Sequence, residues 1–247
     1  MSTTTITNTA SGTNVSEIAA GIYRISTPVP PEAIPGGFTF NQFLIVDDEP
    51  LLFHTGLRKM FPLVREAVAH VLGDVAKLRH VGFSHVEADE SGSLNDWLAA
   101  APQAQAVCSQ IAAMVSVNDL ADRAPRAMAD GEELVIGKKR MRWLDAPHLP
   151  HNWECGYMFE VTSRTLLCGD LFTHSGAQLP ALTESEVLSP SEAARAQLGG
   201  MAIEAGSRKI LEKLARTEPT TLALMHGSSY RGNGGALLLG LADALGV

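Results

Sequence analysis

The stretch Ser84-His85-Val86-Glu87-Ala88-Asp89-Glu90-Ser91-Gly92-Ser93 puts an imidazole and three carboxylates within a few residues of one another. Read as extended chain, His85, Glu87 and Asp89 fall at alternate positions and point to one side. They follow the run Arg79-His80-Val81-Gly82-Phe83 and so stand at a strand end, where α/β folds place their ligands. Crowded carboxylates repel and raise each other's pKa, and a bound cation is the simplest compensation. The stretch reads as half of a metal site.

Three other segments end an expected strand in a candidate ligand. Trp143-Leu144-Asp145-Ala146-Pro147-His148 offers His148, Leu167-Cys168-Gly169-Asp170 offers Asp170, and Leu222-Ala223-Leu224-Met225-His226 offers His226. Singly, a histidine at a strand end is more often a hydrogen-bonded structural residue, and an Asp after Cys-Gly is usually a turn or cap. Jointly, His85, Glu87, Asp89, His148, Asp170 and His226 supply enough imidazole and carboxylate donors for two metals that share a bridge.

The elements that must position these residues alternate between strand and helix. Glu17–Thr27 and Thr39–Phe53 read as strands around a Pro/Gly-rich loop, with a turn at Asp48-Glu49-Pro50. Leu57, Phe61, Val64, Val68 and Val71 have the period of an amphipathic helix. A helix over Leu94–Ala100 and a short strand over Ala104–Ser109 follow. Glu132–Asp145 reads as a hairpin turning at Gly137, and Tyr157–Thr162 with Thr165–Cys168 as a second hairpin. One helix is expected from about Ser191 to Ala215, a last strand at Leu222–Met225 and a closing helix at Gly235–Leu245. Residues 1–15 are read as a disordered polar tail and 16–247 as one α/β domain with two sheets.

These motifs resemble the metallo-β-lactamase superfamily, and within it the β-lactamase-like domain of flavodiiron and oxygen-binding diiron proteins. Hydrolase members carry H-x-H-x-D-H, whereas the flavodiiron branch carries H-x-E-x-D-H; this chain has His85-Val86-Glu87-Ala88-Asp89-Glu90. Pro147-His148-Leu149-Pro150, Leu167-Cys168-Gly169-Asp170-Leu171-Phe172 and Met225-His226-Gly227 are similar to the later motifs, and Thr39–Val46 to an early strand. The resemblance implies an αββα metallo-β-lactamase-like sandwich with metals at one edge. It assigns His85, Glu87 and His148 to one metal, Asp89 and His226 to the other, and Asp170 to the bridge. Two positions depart from the family pattern. Glu90 replaces a histidine, leaving it either a ligand or an acceptor behind one, and His54 replaces a supporting Asp.

Hard carboxylates mixed with histidines suit non-haem iron or manganese better than zinc. Three ligand carboxylates, or four with Glu90, set −3 or −4 against the +4 of a diferrous pair, so two Fe are expected, with Zn or Mn as the alternative. The resemblance implies binding of O2, or NO, with reduction or sensing as the outcome. The chain stops soon after His226, leaving no segment for a flavodoxin-like domain; no FMN is expected here, and turnover would need an external flavoprotein or rubredoxin-type donor. The rival reading is a dinuclear hydrolase of a thioester, lactone or phosphoester. Tyr230 is a candidate donor to a bound ligand, His174 a candidate gate, and His151 a residue near the site.

Composition narrows the partners. Net charge is −8 with no basic cluster beyond Lys138-Lys139-Arg140, which argues against nucleic acid and anionic membranes. No run approaches a transmembrane span and the start lacks the features of a signal peptide, so a cytoplasmic location is expected. Cys108, Cys155 and Cys168 sit apart among apolar residues and read as buried thiols. The resemblance suggests a homodimer.

Overall fold

Each half of the chain builds its own sheet in the computed structural model, which describes residues 3–199, 201 and 204–247. The first sheet contains β1 (Thr4–Asn8), β2 (Thr13–Ala19), β3 (Ile22–Val29), β4 (Phe38–Ile45), β5 (Leu51–Phe53), β6 (His80–Gly82), β7 (Gln105–Ser109) and β8 (Arg126–Met128), in sequence order. Its first five strands pair antiparallel through short turns. From β5 onward pairing is parallel, because helical crossovers intervene. The second sheet contains β9 (Glu133–Val135), β10 (Arg140–Asp145), β11 (Gly156–Glu160), β12 (Thr165–Leu167), β13 (Leu182–Thr183), β14 (Thr221–Ala223) and β15 (Ser229–Arg231), in the order β13-β15-β14-β12-β11-β10-β9.

Helices cover the outer faces. On the first sheet lie α1 (Phe61–Leu72) and α3 (Leu94–Ala100), with the short α2 (Ala88–Ser91) between β6 and α3. They are followed by a run that passes from α4 (Gln110–Ala112) through a π-turn (Ala113–Val117) to α5 (Asn118–Leu120). The second half carries α6 (Leu188–Leu198), α7 (Ser207–Ala215) and α8 (Gly234–Ala244). Three buried apolar clusters separate the layers. Val64, Val68, Trp97 and Leu98 of α1 and α3 meet Leu52 and Val81. Phe43, Phe53, Trp143 and Met158 fill the space between sheets, and Leu211, Leu214, Leu238 and Leu241 cover Leu166 and Leu222. This is the expected αββα sandwich.

Three expectations change. The polar start is not a disordered tail: Thr4–Asn8 pairs with Thr13–Ser16 as an edge hairpin. Its Thr-rich sequence is a good strand former with little apolar surface, which suits an exposed edge. The long helix expected from Ser191 to Ala215 is two helices, broken where Gly199 takes φ +64 and accepts the left-handed end of α6. Finally, the acidic cluster is not extended throughout. The chain bends after β6 and enters α2 at Ala88, with Glu87 still extended. His85 and Glu87 therefore share one side, while Asp89 and Glu90 turn onto a helix and reach a different point.

Candidate metal centre

Four strand ends converge at one edge of the sandwich: the exits of β6, β12 and β14, and the loop Ala146–Cys155 between β10 and β11. Two groups of donors form there, each with its ligand atoms within 4.8 Å of one another: His85, Glu87, His151 and Asp170, and Asp89, Glu90 and His226. In the first group His85 Nε2 lies 3.1 Å from Glu87 Oε2, 3.0 Å from His151 Nε2 and 3.5 Å from Asp170 Oδ2. In the second, His226 Nε2 lies 3.3 Å from Asp89 Oδ2 and 3.3 Å from Asp170 Oδ1. Asp170 thus turns one oxygen to each group, the geometry of a bridging carboxylate.

The histidines are oriented from behind. His226 Nδ1 donates to the Thr39 carbonyl at 2.8 Å, which turns Nε2 toward the carboxylates. Phe38 lies against the same ring at a centroid distance of 4.4 Å. His85 Nδ1 meets Ser84 Oγ at 2.9 Å, and that hydroxyl in turn meets His54 Nε2 at 3.1 Å. Burial pushes the His54 imidazole down to about 3, so it is a neutral partner. The turn after His226 is clamped as well. Arg24 and Asn41 donate to the Gly227 carbonyl, Thr39 Oγ1 accepts from the Gly227 amide, and His174 Nε2 accepts from the Ser228 amide.

Electrostatics say what the site lacks. Glu90 is fully buried, and neither of its carboxyl oxygens has a hydrogen-bond partner among the described residues. Burial, then the Asp170 and Asp89 charges, pushes its carboxyl well above the usual carboxylate range. Burial alone would raise Asp170, yet the hydrogen bond and charge of His226, aided by His85, hold it well below that range. Burial would lower His226; hydrogen bonds to Asp170 and Asp89 instead raise it to about 10. A strained set of four carboxylates around three imidazoles costs several kcal/mol per uncompensated ion. Two divalent cations would supply the missing +4, so the residues fit a dinuclear metal centre.

His85, Glu87, Asp89, Glu90, Asp170 and His226 all lie where the two donor groups form. His148 does not. It is exposed at a left-handed φ of 63°, its amide bonded to the Asn152 carbonyl at 2.8 Å, and the loop returns to bring His151 inward instead. Tyr230 is also misplaced as a ligand donor: it packs on the outer core, and a Cβ on Gly232 would collide with its hydroxyl. His174 is a brace rather than a gate, for it is buried with Nδ1 bonded to the Phe172 carbonyl at 2.9 Å. Sequence reading also passed over Arg24, Asn41 and Glu154. The Glu154 carboxylate accepts the Val86 amide at 3.1 Å and so fixes the strand end between His85 and Glu87. No spacing rule marks such residues, since each acts across the fold.

A cavity of about 160 Å³ opens beside the centre, bordered by His151, Asp170 and His226 and walled by Phe38, Pro150, Phe172, Leu198 and Leu241. No helix among the described residues is long and apolar enough to cross a membrane.

Comparison with known proteins agrees with this architecture. A nitric oxide reductase from Moorella thermoacetica is 27% identical over 135 residues, which is 53% of this chain and 33% of that protein. The chain spans a third or less of the curated relatives it matches. Among solved structures, the flavodiiron core of Flv1 from Synechocystis superposes with a TM-score of 0.80 at 21% identity, over 95% of this chain and 61% of that one. Rubredoxin oxygen:oxidoreductase from Desulfovibrio gigas gives 0.80 at 16% identity, over 94% and 61%. At these identities the likeness is one of fold. The family model described as ODP family beta lactamase matches residues 38–227, which hold every converging ligand, and the chain belongs to that family.

Proposed function

We propose that this chain holds two iron ions and binds O2, or NO, between them, reducing the bound gas when an external flavoprotein or rubredoxin-type donor supplies electrons. The observation that carries this reading is the division of Asp170 between two donor groups that together contain four carboxylates. So hard and anionic a set favours iron over zinc. Iron, when bound, supplies the one-electron chemistry that the side chains cannot.

The chain's own residues would do the rest. Ser84 and the Thr39 carbonyl fix the ring orientation of His85 and His226, and Phe38 holds the His226 ring in place. Phe172 and Leu241 keep the approach to Asp170 and His226 apolar, which admits a neutral gas and disfavours water. Glu90, grouped with Asp89 and His226 and with no hydrogen-bond partner for its oxygens among the described residues, would serve as a ligand of the second ion. The nitric oxide reductase and oxygen oxidoreductase among the similar proteins support the substrate class.

The test is iron content together with the absorption change when anaerobically reduced protein meets O2 or NO. Iron near two per chain, with a new charge-transfer band on mixing, is the expected result. Zinc occupancy with esterase or thioesterase turnover would overturn it in favour of a hydrolase.

A further inference from the structure

The two donor groups differ in kind. With Asp170 counted to both, the first has two imidazoles (His85, His151) and two carboxylates (Glu87, Asp170). The second has one imidazole (His226) and three carboxylates (Asp89, Glu90, Asp170). They differ in access as well. The Glu87 side chain is half exposed and that of His151 30% exposed, whereas Glu90 is fully buried and His226 nearly so. Glu90 is anchored where it stands, because its carbonyl accepts the Thr55 amide at 2.6 Å. Its Oε2 is 3.9 Å from His85 Nε2, beyond hydrogen-bond reach, and lies within 4.8 Å of the ligand atoms of Asp89 and His226.

Ligand type sorts divalent cations. Imidazole suits iron and zinc, carboxylate suits manganese, and at any one site manganese binds more weakly than either. Offered together in limiting amounts, the ions therefore part. The stronger binder takes the side with two imidazoles, and manganese keeps the side where its handicap is smallest. We infer that the centre is asymmetric: the Asp89–Glu90–His226 side is a hard-cation position that takes manganese(II), while the His85–Glu87–His151 side takes iron(II) or zinc(II). Glu90 sets the difference, since a histidine in its place would give both sides two imidazoles and two carboxylates. Iron supplied alone still fills both sides. The inference rests on the dinuclear reading proposed above and adds which ion each side prefers.

The experiment gives the full chain one equivalent each of zinc(II) and manganese(II), removes free metal, and combines elemental analysis with pulsed electron paramagnetic resonance. Zinc is diamagnetic, so the manganese signal reports its own ligands. One zinc and one manganese per chain are expected, the manganese uncoupled from any second manganese and bound to a single imidazole nitrogen. In competition titrations Glu90→His should raise the preference for zinc over manganese at that side by roughly tenfold, the least that even the outer partners of a metal site command. Glu90→Asp should keep the wild-type preference. Manganese bound to two imidazole nitrogens, a random mixture of dizinc and dimanganese chains, or a Glu90→His variant with unchanged preference overturns the inference and leaves the dinuclear reading standing. A chain that never holds a second ion overturns both. The nitrogen count is made on the unaltered chain, so it decides the matter even if the variants do not fold.

Discussion

At the scale of single residues the centre depends on which histidine of the β10–β11 loop points inward. His151 Nε2 lies 2.9 Å from Glu87 Oε2, whereas His148 is exposed. His151→Ala should therefore lower metal content by about one ion per chain, because an open ligand position cannot hold its metal. His148→Ala should leave metal content unchanged. Elemental analysis of the two variants separates the alternatives, and equal loss from both would contradict the geometry. The thiols give a second expectation. Burial pushes Cys108 up to about 12 and raises Cys155 and Cys168 as well. A thiol whose pKa rises on folding stabilises the fold fully below its ordinary value near 8.5, and for Cys108 that contribution fades as pH climbs through about 12. Native protein at pH 8 should thus resist alkylation, and unfolded protein should take three labels by intact mass.

At the scale of elements, much of the site could be read in advance and some could not. His85, Glu87, Asp170 and His226 were legible because each follows a short apolar strand, and strand ends are where this kind of sandwich gathers its ligands. His148 and His151 were not separable, since both lie in an irregular loop where no period tells inside from outside. Asp89 looked extended because a four-residue acidic helix leaves no apolar repeat to detect. β1 escaped notice for the opposite reason to a buried strand: it carries polar β-branched residues and one edge to solvent. The turn after β14 makes its own demand. Gly227 takes φ +97 and a Cβ there would run into the His174 ring, so Gly227→Ala combines backbone strain with overpacking. A loss of about 3 kcal/mol is expected in denaturant unfolding, with weakened metal retention. A neutral outcome would show that the brace by His174 is dispensable.

At the scale of the whole molecule, the ligands are shared between the two halves. His85, Glu87, Asp89 and Glu90 leave the first sheet, while His151, Asp170 and His226 leave the second, and Thr39 and Asn41 of β4 grip the His226 turn across the gap. Metal binding should stabilise the fold accordingly. At a free metal concentration a thousand times Kd the gain is about 4 kcal/mol, and for a chain of this size each kcal/mol shifts Tm by about 2–4 °C. Chelation should therefore lower the melting temperature by about 8–16 °C, read by calorimetry. A transition that ignores the chelator would remove the metal from the folding balance.

The first sheet ends at Met128 and the second begins at Glu133, with only the turn around Gly131 between them. The two sheets are thus consecutive segments of sequence that never interleave. Cut at that turn, the polypeptide would become two fragments, each owning part of a coordination sphere and neither owning all of it. The ion would then act as a rivet between strangers. Fragments mixed with iron(II) should recover the native fluorescence of Trp143, buried between the sheets, while fragments mixed with a chelator should stay apart.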